Sequence, residues 1–314
     1  MALNALSSYP EGFGSGVIIR GAPIANMFAG NTYWVNSATG SDTGKGTRER
    51  PFATLDYAIG RTTADQGDVI FVAPNHAETI TGAGGITADV AGISIIGLGS
   101  YNQRPRFLMD GGTTVTFVVS AADVTIRNIV LASGHLLVAT GFNVTGAGCW
   151  IDQVEFQDNT TAENWGSPVK ATGAANTADG LKVTNCRWTP LVATVNALEF
   201  VEITDDIRDL VIANNFIAHE GTASPLVLQA GTKIMQTVQI VGNHLSHKMT
   251  AGDLAFDNGG STNSGVIANN YVGHADVTGA HAMGAVAGCR FFENYSVSTD
   301  ALSGLLLPAA DVDL

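Results

Sequence analysis

LVIANNFI (210–217), VQIVGNHL (238–245), GVIANNYV (265–272) and CRFFENYSV (289–297) are four versions of one segment. Each is a short strand-like apolar run, then an Asn, then an aromatic or imidazole ring. The same shape recurs upstream as VTIRNIVL (124–131), CWIDQVEF (149–156) and LKVTNCRW (181–188), with earlier candidates at DVIFVAP (68–74) and GISIIGLG (92–99). Taking Asn128, Gln153, Asn185, Asn215, Asn243, Asn270 and Asn294 as equivalent gives steps of 25, 32, 30, 28, 27 and 24 residues. Such steps are too short for a strand–helix–strand unit, which takes about 30 residues or more. The intervening segments are rich in Gly, Ser, Thr, Asn and Asp and show no 3.6-residue periodicity. The expected fold is therefore all-β: a single-stranded parallel β-helix, or β-solenoid, of about nine coils stacked ~4.8 Å apart. Asn128, Asn185, Asn215, Asn243, Asn270 and Asn294 are the expected ladder, each side-chain amide bonding its equivalent in the next coil. Apolar positions shift by one residue between the early and late runs, so bulges are expected.

Composition agrees. The 314 residues include 37 Gly, which suits many tight corners, and only 14% charged residues against 45% hydrophobic ones. A net charge of −13 argues against binding nucleic acid or an anionic membrane, both of which call for basic surface. Residues 1–16 carry neither a basic stretch nor an unbroken apolar run, so no signal peptide is expected. No window is long and apolar enough for a transmembrane helix. Cys149, Cys186 and Cys289 are odd in number and far apart, which fits reduced, buried thiols.

The chain divides at 1–32, a Gly/Pro-broken arm with the apolar center VIIRGAPIANMF (17–28); 33–67, a cap with a short helix; 68–298, the β-helix; and 299–314, a C-terminal cap or tail. Pro51 sits near the helix start, and Phe52, Leu55, Ala58 and Ile59 form the stripe that plugs the open end of the solenoid.

GSDTGKGT (40–47), RPFATLDYAIG (50–60) and GDVIFV (67–72) resemble the opening of right-handed parallel β-helix proteins of the pectate-lyase-like superfamily. With YPEGFGSGVIIRGAPI (9–24) and HAETITGAGGITADVAGISIIGLG (76–99), the chain is more narrowly similar to tailed-bacteriophage β-helix virion proteins. The resemblance implies a structural virion component, made in the bacterial cytoplasm and without enzymatic activity. It implies a capsid decoration or cement-like homotrimer, held to the major capsid protein through residues 1–32. The alternatives are a tailspike-type polysaccharide depolymerase and an adhesin that binds a glycan receptor.

No cofactor is expected, and no convergent catalytic set stands out. Trp150-Ile151-Asp152 is similar to a pectate-lyase element, but Gln153 stands where that element has His. The acidic run Glu199, Glu202, Asp205, Asp206 and Asp209 is densest. Paired carboxylates serve glycoside hydrolysis, and Asp205, Asp206 and Asp209 are candidate calcium ligands; a solvated loop is the plainer reading. His219, His247 and His274 each fall four residues after their Asn, so stacking places them in one column, a candidate transition-metal site. Phe216, His244, Tyr271 and Tyr295 form a second column, which packs or, where exposed, holds a sugar.

Overall fold

The computed structural model describes residues 17–19, 22–24, 30–189, 199–219, 228–247, 256–258, 262–274, 288–298 and 304–305. Among them the chain is a parallel β-solenoid with almost no helix. Three sheets run the length of the stack. Sheet I has ten strands, from Thr32–Val35 to Cys289–Phe292; sheet II has ten, from Ala77–Ile80 to Gly304–Leu305; sheet III has seven, from Ile86–Ala88 to Phe256–Asn258. Pairing is parallel from coil to coil, except that Gly304–Leu305 lies antiparallel across Tyr295–Ser298 and closes the edge of sheet II. Val17–Ile19 and Ala22–Ile24 form a separate antiparallel two-stranded sheet.

The strands form here because alternate side chains meet their equivalents one coil away. In sheet I, Ile95, Ile126, Ile151, Val183, Ile212, Ile240 and Ile267 are successive Cα partners and all are buried. Burying each such side chain contributes roughly 1.5–3 kcal/mol. Between the sheets the early core is aromatic. Phe156 sits edge-on to Phe142, Trp165 and Phe200 at 5.9, 6.1 and 5.9 Å, and Trp188 stacks on Phe200 at 6.3 Å.

The N-terminal cap contains the helix Leu55–Ile59, with Leu55, Ala58 and Ile59 buried in the core. Its first backbone N–H groups have no partner within the helix, and carboxylates from outside take them. Asp42 Oδ1 accepts from the N–H groups of Ala53 and Thr54, and Glu78 Oε2 accepts from Leu55 N–H. Thr32–Val35, at the edge of this cap, is already a strand of sheet I, pairing in parallel with Val69–Val72.

The one-residue shift between early and late runs has a cause other than bulging. Sheet I pairing is unbroken from Lys182–Thr184 to Val211–Ala213, which aligns Asn185 with Asn214 and Cys186 with Asn215. There are thus two columns at this corner. Asn128, Gln153, Asn185, Asn214, Gly242, Asn269 and Glu293 have φ between 53° and 68°, the left-handed conformation that lets the chain turn from sheet I into sheet II. Gly242 is the member with no side-chain penalty there. The next residue points inward: Ile129, Val154, Cys186, Asn215, Asn243, Asn270 and Asn294, all buried. Asn128 and Asn185 are therefore corner residues outside the ladder of Asn215, Asn243, Asn270 and Asn294. The register irregularity that the sheets do contain lies in sheet III, between Gln229 and Gly231.

In that ladder, Asn215 Nδ2 donates to Val183 O and to Asn243 Oδ1, both at 2.9 Å, while Asn215 N–H donates to the same Oδ1 at 3.0 Å. Asn243 repeats this toward Ile212 O and Asn270, and Asn270 toward Ile240 O and Asn294. The side-chain amides of Asn215, Asn243 and Asn270 thereby use both Nδ2 hydrogens and their Oδ1 within the stack.

Candidate active site

Sheet III positions a cluster of four side chains. Trp165–Ala171 pairs with Val201–Ile203 so that Lys170 lies opposite Glu202, and both face outward. The Lys170 ammonium meets Glu202 Oε1 at 2.7 Å, with the two side chains 28% and 21% exposed. Ser167, on the strand Trp165–Ala171, and Glu199, just ahead of the strand Val201–Ile203, are both buried. The Ser167 hydroxyl lies 3.3 Å from Glu199 Oε1 and 3.4 Å from Glu202 Oε2. The two carboxyl groups thus meet at one hydroxyl.

Their surroundings set them apart. Glu199 is 1% exposed, and its Oε2 has no hydrogen-bond partner among the described residues. Burial, reinforced by the neighboring Glu202 charge, pushes its carboxyl up to about 7. Glu202 is held by an ammonium. One carboxyl that keeps its proton near neutrality beside one that is ion-paired is the division of labor that acid–base catalysis uses.

The rest of the acidic run is committed elsewhere. Asp205 Oδ1 faces Lys233 Nζ at 3.4 Å, and Asp206 Oδ1 accepts from Ile234 N–H at 2.9 Å. Asp209, with φ 54°, occupies a second left-handed corner, where its carboxylate accepts the Thr237 hydroxyl proton. Asp205, Asp206 and Asp209 each reach toward the following coil and do not converge. Among the described residues no three His, Cys, Asp or Glu side chains gather as a metal site.

His219 and His247 are Cα partners at the ends of adjacent sheet II strands, and His274 ends the next strand, paired with Ser298. Their side chains lie outside the described residues. The ring column is described: Phe216–His244 centroids are 5.1 Å apart and His244–Tyr271 centroids 4.6 Å. On sheet I, Asp152 is occupied by the Arg127 guanidinium at 3.1 Å, the Thr184 hydroxyl and the Asn185 amide. The three thiols are free and buried; desolvation raises Cys149 and Cys289 to about 11 and Cys186 to about 12, which keeps them protonated.

Sequence reading singled out Glu199 and Glu202 but missed Ser167 and Lys170. These lie about one coil upstream, on a strand, WGSPVKA (165–171), with no polar alternation. Only the strand register brings the four together.

No family model matches the chain, and no curated protein matches it. Among solved structures it is similar to a rhamnogalacturonan lyase, at 13% identity over 84% of this chain and 87% of that one, with a TM-score of 0.44. It is also similar to a GH136 lacto-N-biosidase from Eubacterium ramulus, at 12% identity over 86% of this chain and 67% of that one, with a TM-score of 0.46. A second structure of that lacto-N-biosidase gives 12% identity, 84% and 60% coverage and a TM-score of 0.36. The expectation of a chain without enzymatic activity runs against these neighbors, whose proteins are a lyase and a glycosidase; the likeness itself is one of fold.

Proposed function

We propose that this β-solenoid cleaves a polysaccharide, with Glu199 as proton donor and the Lys170-paired Glu202 as its partner. The observation that carries this reading is the Ser167 hydroxyl set between two carboxyl groups, one of them buried with an unpartnered oxygen. A hydroxyl has one proton and serves one carboxylate at a time. When Glu199 is protonated it donates a hydrogen bond to Ser167 Oγ while Ser167 donates one to Glu202, so the hydroxyl links and positions the two carboxyl groups without moving the proton. Lys170 pairs with Glu202 and orients it. In glycoside hydrolysis such a pair protonates the leaving oxygen and activates water or attacks the sugar.

The test is turnover of a panel of soluble polysaccharides, followed by reducing-end release. Glu199→Gln and Glu202→Gln are each expected to lose about 10²–10⁴-fold in kcat. Wild-type activity is expected to fall as pH rises through about 7, as Glu199 loses its proton. Full activity in either variant overturns the assignment. Stability follows the same group. The unfolded carboxyl ionizes from about 4.5 and the folded one only near 7, so the fold loses stability between those values and does not regain it above them. The Tm advantage of Glu199→Gln over wild type is therefore expected to widen between pH 5 and pH 8.

A place on a phage particle as a tailspike-type protein, trimeric and attached through residues 1–32, is compatible with this chemistry. It is supported by the resemblance of about residues 9–135 and by the strand pair 17–19/22–24, which joins none of the three solenoid sheets. Removing residues 1–30 is expected to leave a folded solenoid that no longer attaches to particles; undiminished attachment overturns it.

A further inference from the structure

We infer that the outer face of sheet II, from Arg187 to Tyr295, binds an uncharged polysaccharide laid along the axis of the stack. The ligand class rests on the carbohydrate reading above, but the surface is separate from Glu199 and Glu202. Arg187, Phe216, His244, Tyr271 and Tyr295 are successive Cα partners on this face. Phe216, Tyr271 and Tyr295 are 41%, 38% and 51% exposed, three of the seven large hydrophobic side chains that stand exposed among the described residues. Exposed apolar side chains gathered in one file mark a contact surface rather than scatter. The file is also local: the same column upstream holds Arg106, Val130 and Glu155.

The shape suits a chain of sugar rings. Adjacent rings are tilted by 43° and 51° instead of lying flat on one another, so each keeps part of a face open. Beside them on each strand, the next outward column is Ala218, Ser246 and Gly273. A wall of rings with a floor of small residues is a shallow trough. Successive rings repeat with the strand spacing, about the length of one pyranose unit, so a polymer meets an equivalent contact at each coil. Sugar C–H faces pack on the rings. The Tyr271 and Tyr295 hydroxyls, the His244 imidazole, the Ser246 hydroxyl and the Arg187 guanidinium, which lies 5.4 Å over the Phe216 ring, offer polar partners for sugar hydroxyls.

Charge selects the occupant. A chain of net charge −13 repels an acidic polymer; an uncharged polysaccharide carries no such penalty.

The experiment is affinity electrophoresis of the Glu199→Gln protein, which leaves the polymer intact, in gels holding hydroxyethyl cellulose, galactomannan, soluble starch or polygalacturonate. Retardation by at least one uncharged polymer is expected, with Tyr271→Ala weakening it by about tenfold and Trp150→Ala, on sheet I, leaving it unchanged. Thermal melts confirm that each variant is folded. Retardation by none of the uncharged polymers, by polygalacturonate alone, or equally for Tyr271→Ala overturns the inference. Loss of a sedimenting oligomer in Tyr271→Ala, with no polymer bound, overturns it in favor of a contact between copies. Tyr271-dependent binding without cleavage by the wild-type chain defeats the catalytic reading and leaves this one standing; cleavage without such binding does the reverse.

Discussion

The two halves of the stack close the same corner in different ways. Up to Trp188 the inward residue after the left-handed turn is Ile129, Val154 or Cys186, above a core of interlocked aromatics. From Asn215 onward it is Asn, and the coils are joined by a line of amides. Apolar burial is strong but indifferent to direction. An amide ladder is weaker per group but satisfied in one register only. The early half therefore resists loss of volume, and the late half resists slippage between coils.

The largest effect expected from breaking this contrast is in the aromatic core. Phe156→Ala removes the ring that meets Phe142, Trp165 and Phe200 and is expected to cost about 3–5 kcal/mol in denaturant unfolding. Asn243→Ala comes next. It strands the N–H and one Nδ2–H of Asn215, both of which use Asn243 Oδ1, at roughly 1–3 kcal/mol for each buried group left unpaired. Hydrogen exchange should place that loss in residues 199–298, because coils couple mainly to their neighbors; uniform loss along the stack would contradict the division. The smallest effect sharpens the boundary. Cys186 N–H already donates to Asn215 Oδ1, and Cys186 Sγ lies 3.7 Å from Ile151 O, the acceptor that a ladder amide would use. Cys186→Asn is expected to extend the ladder with a Tm change of only a few degrees, and a large drop would show that the corner there requires an apolar residue.

The solenoid was legible because its repeat is carried by buried positions that must match one coil to the next. The exact alignment was not, because Asn suits both adjacent columns for unrelated reasons. At the corner it tolerates positive φ; one residue later it supplies a donor and an acceptor to the ladder. Asn214-Asn215 and Asn269-Asn270 hold both roles side by side, while Asn128 and Asn185 hold only the first. At the candidate site, Glu199 and Glu202 were visible as acidic residues. Ser167 and Lys170 were not, since contact between coils is set by register and leaves no local pattern. Nor does the sequence show that Glu199 is buried while Asp205, Asp206 and Asp209 are engaged with the next coil.

The ladder also carries an implication for how such chains change length. Each amide accepts from the coil before and donates to the coil after, so any two neighboring rungs present the same pair of half-bonds to whatever lies between them. A duplicated coil of 24–28 residues, entering between Asn243 and Asn270, would find both halves waiting. Gene duplication within this stretch could lengthen the rod, and with it the ring-lined trough, one unit at a time without redesign of the flanking coils.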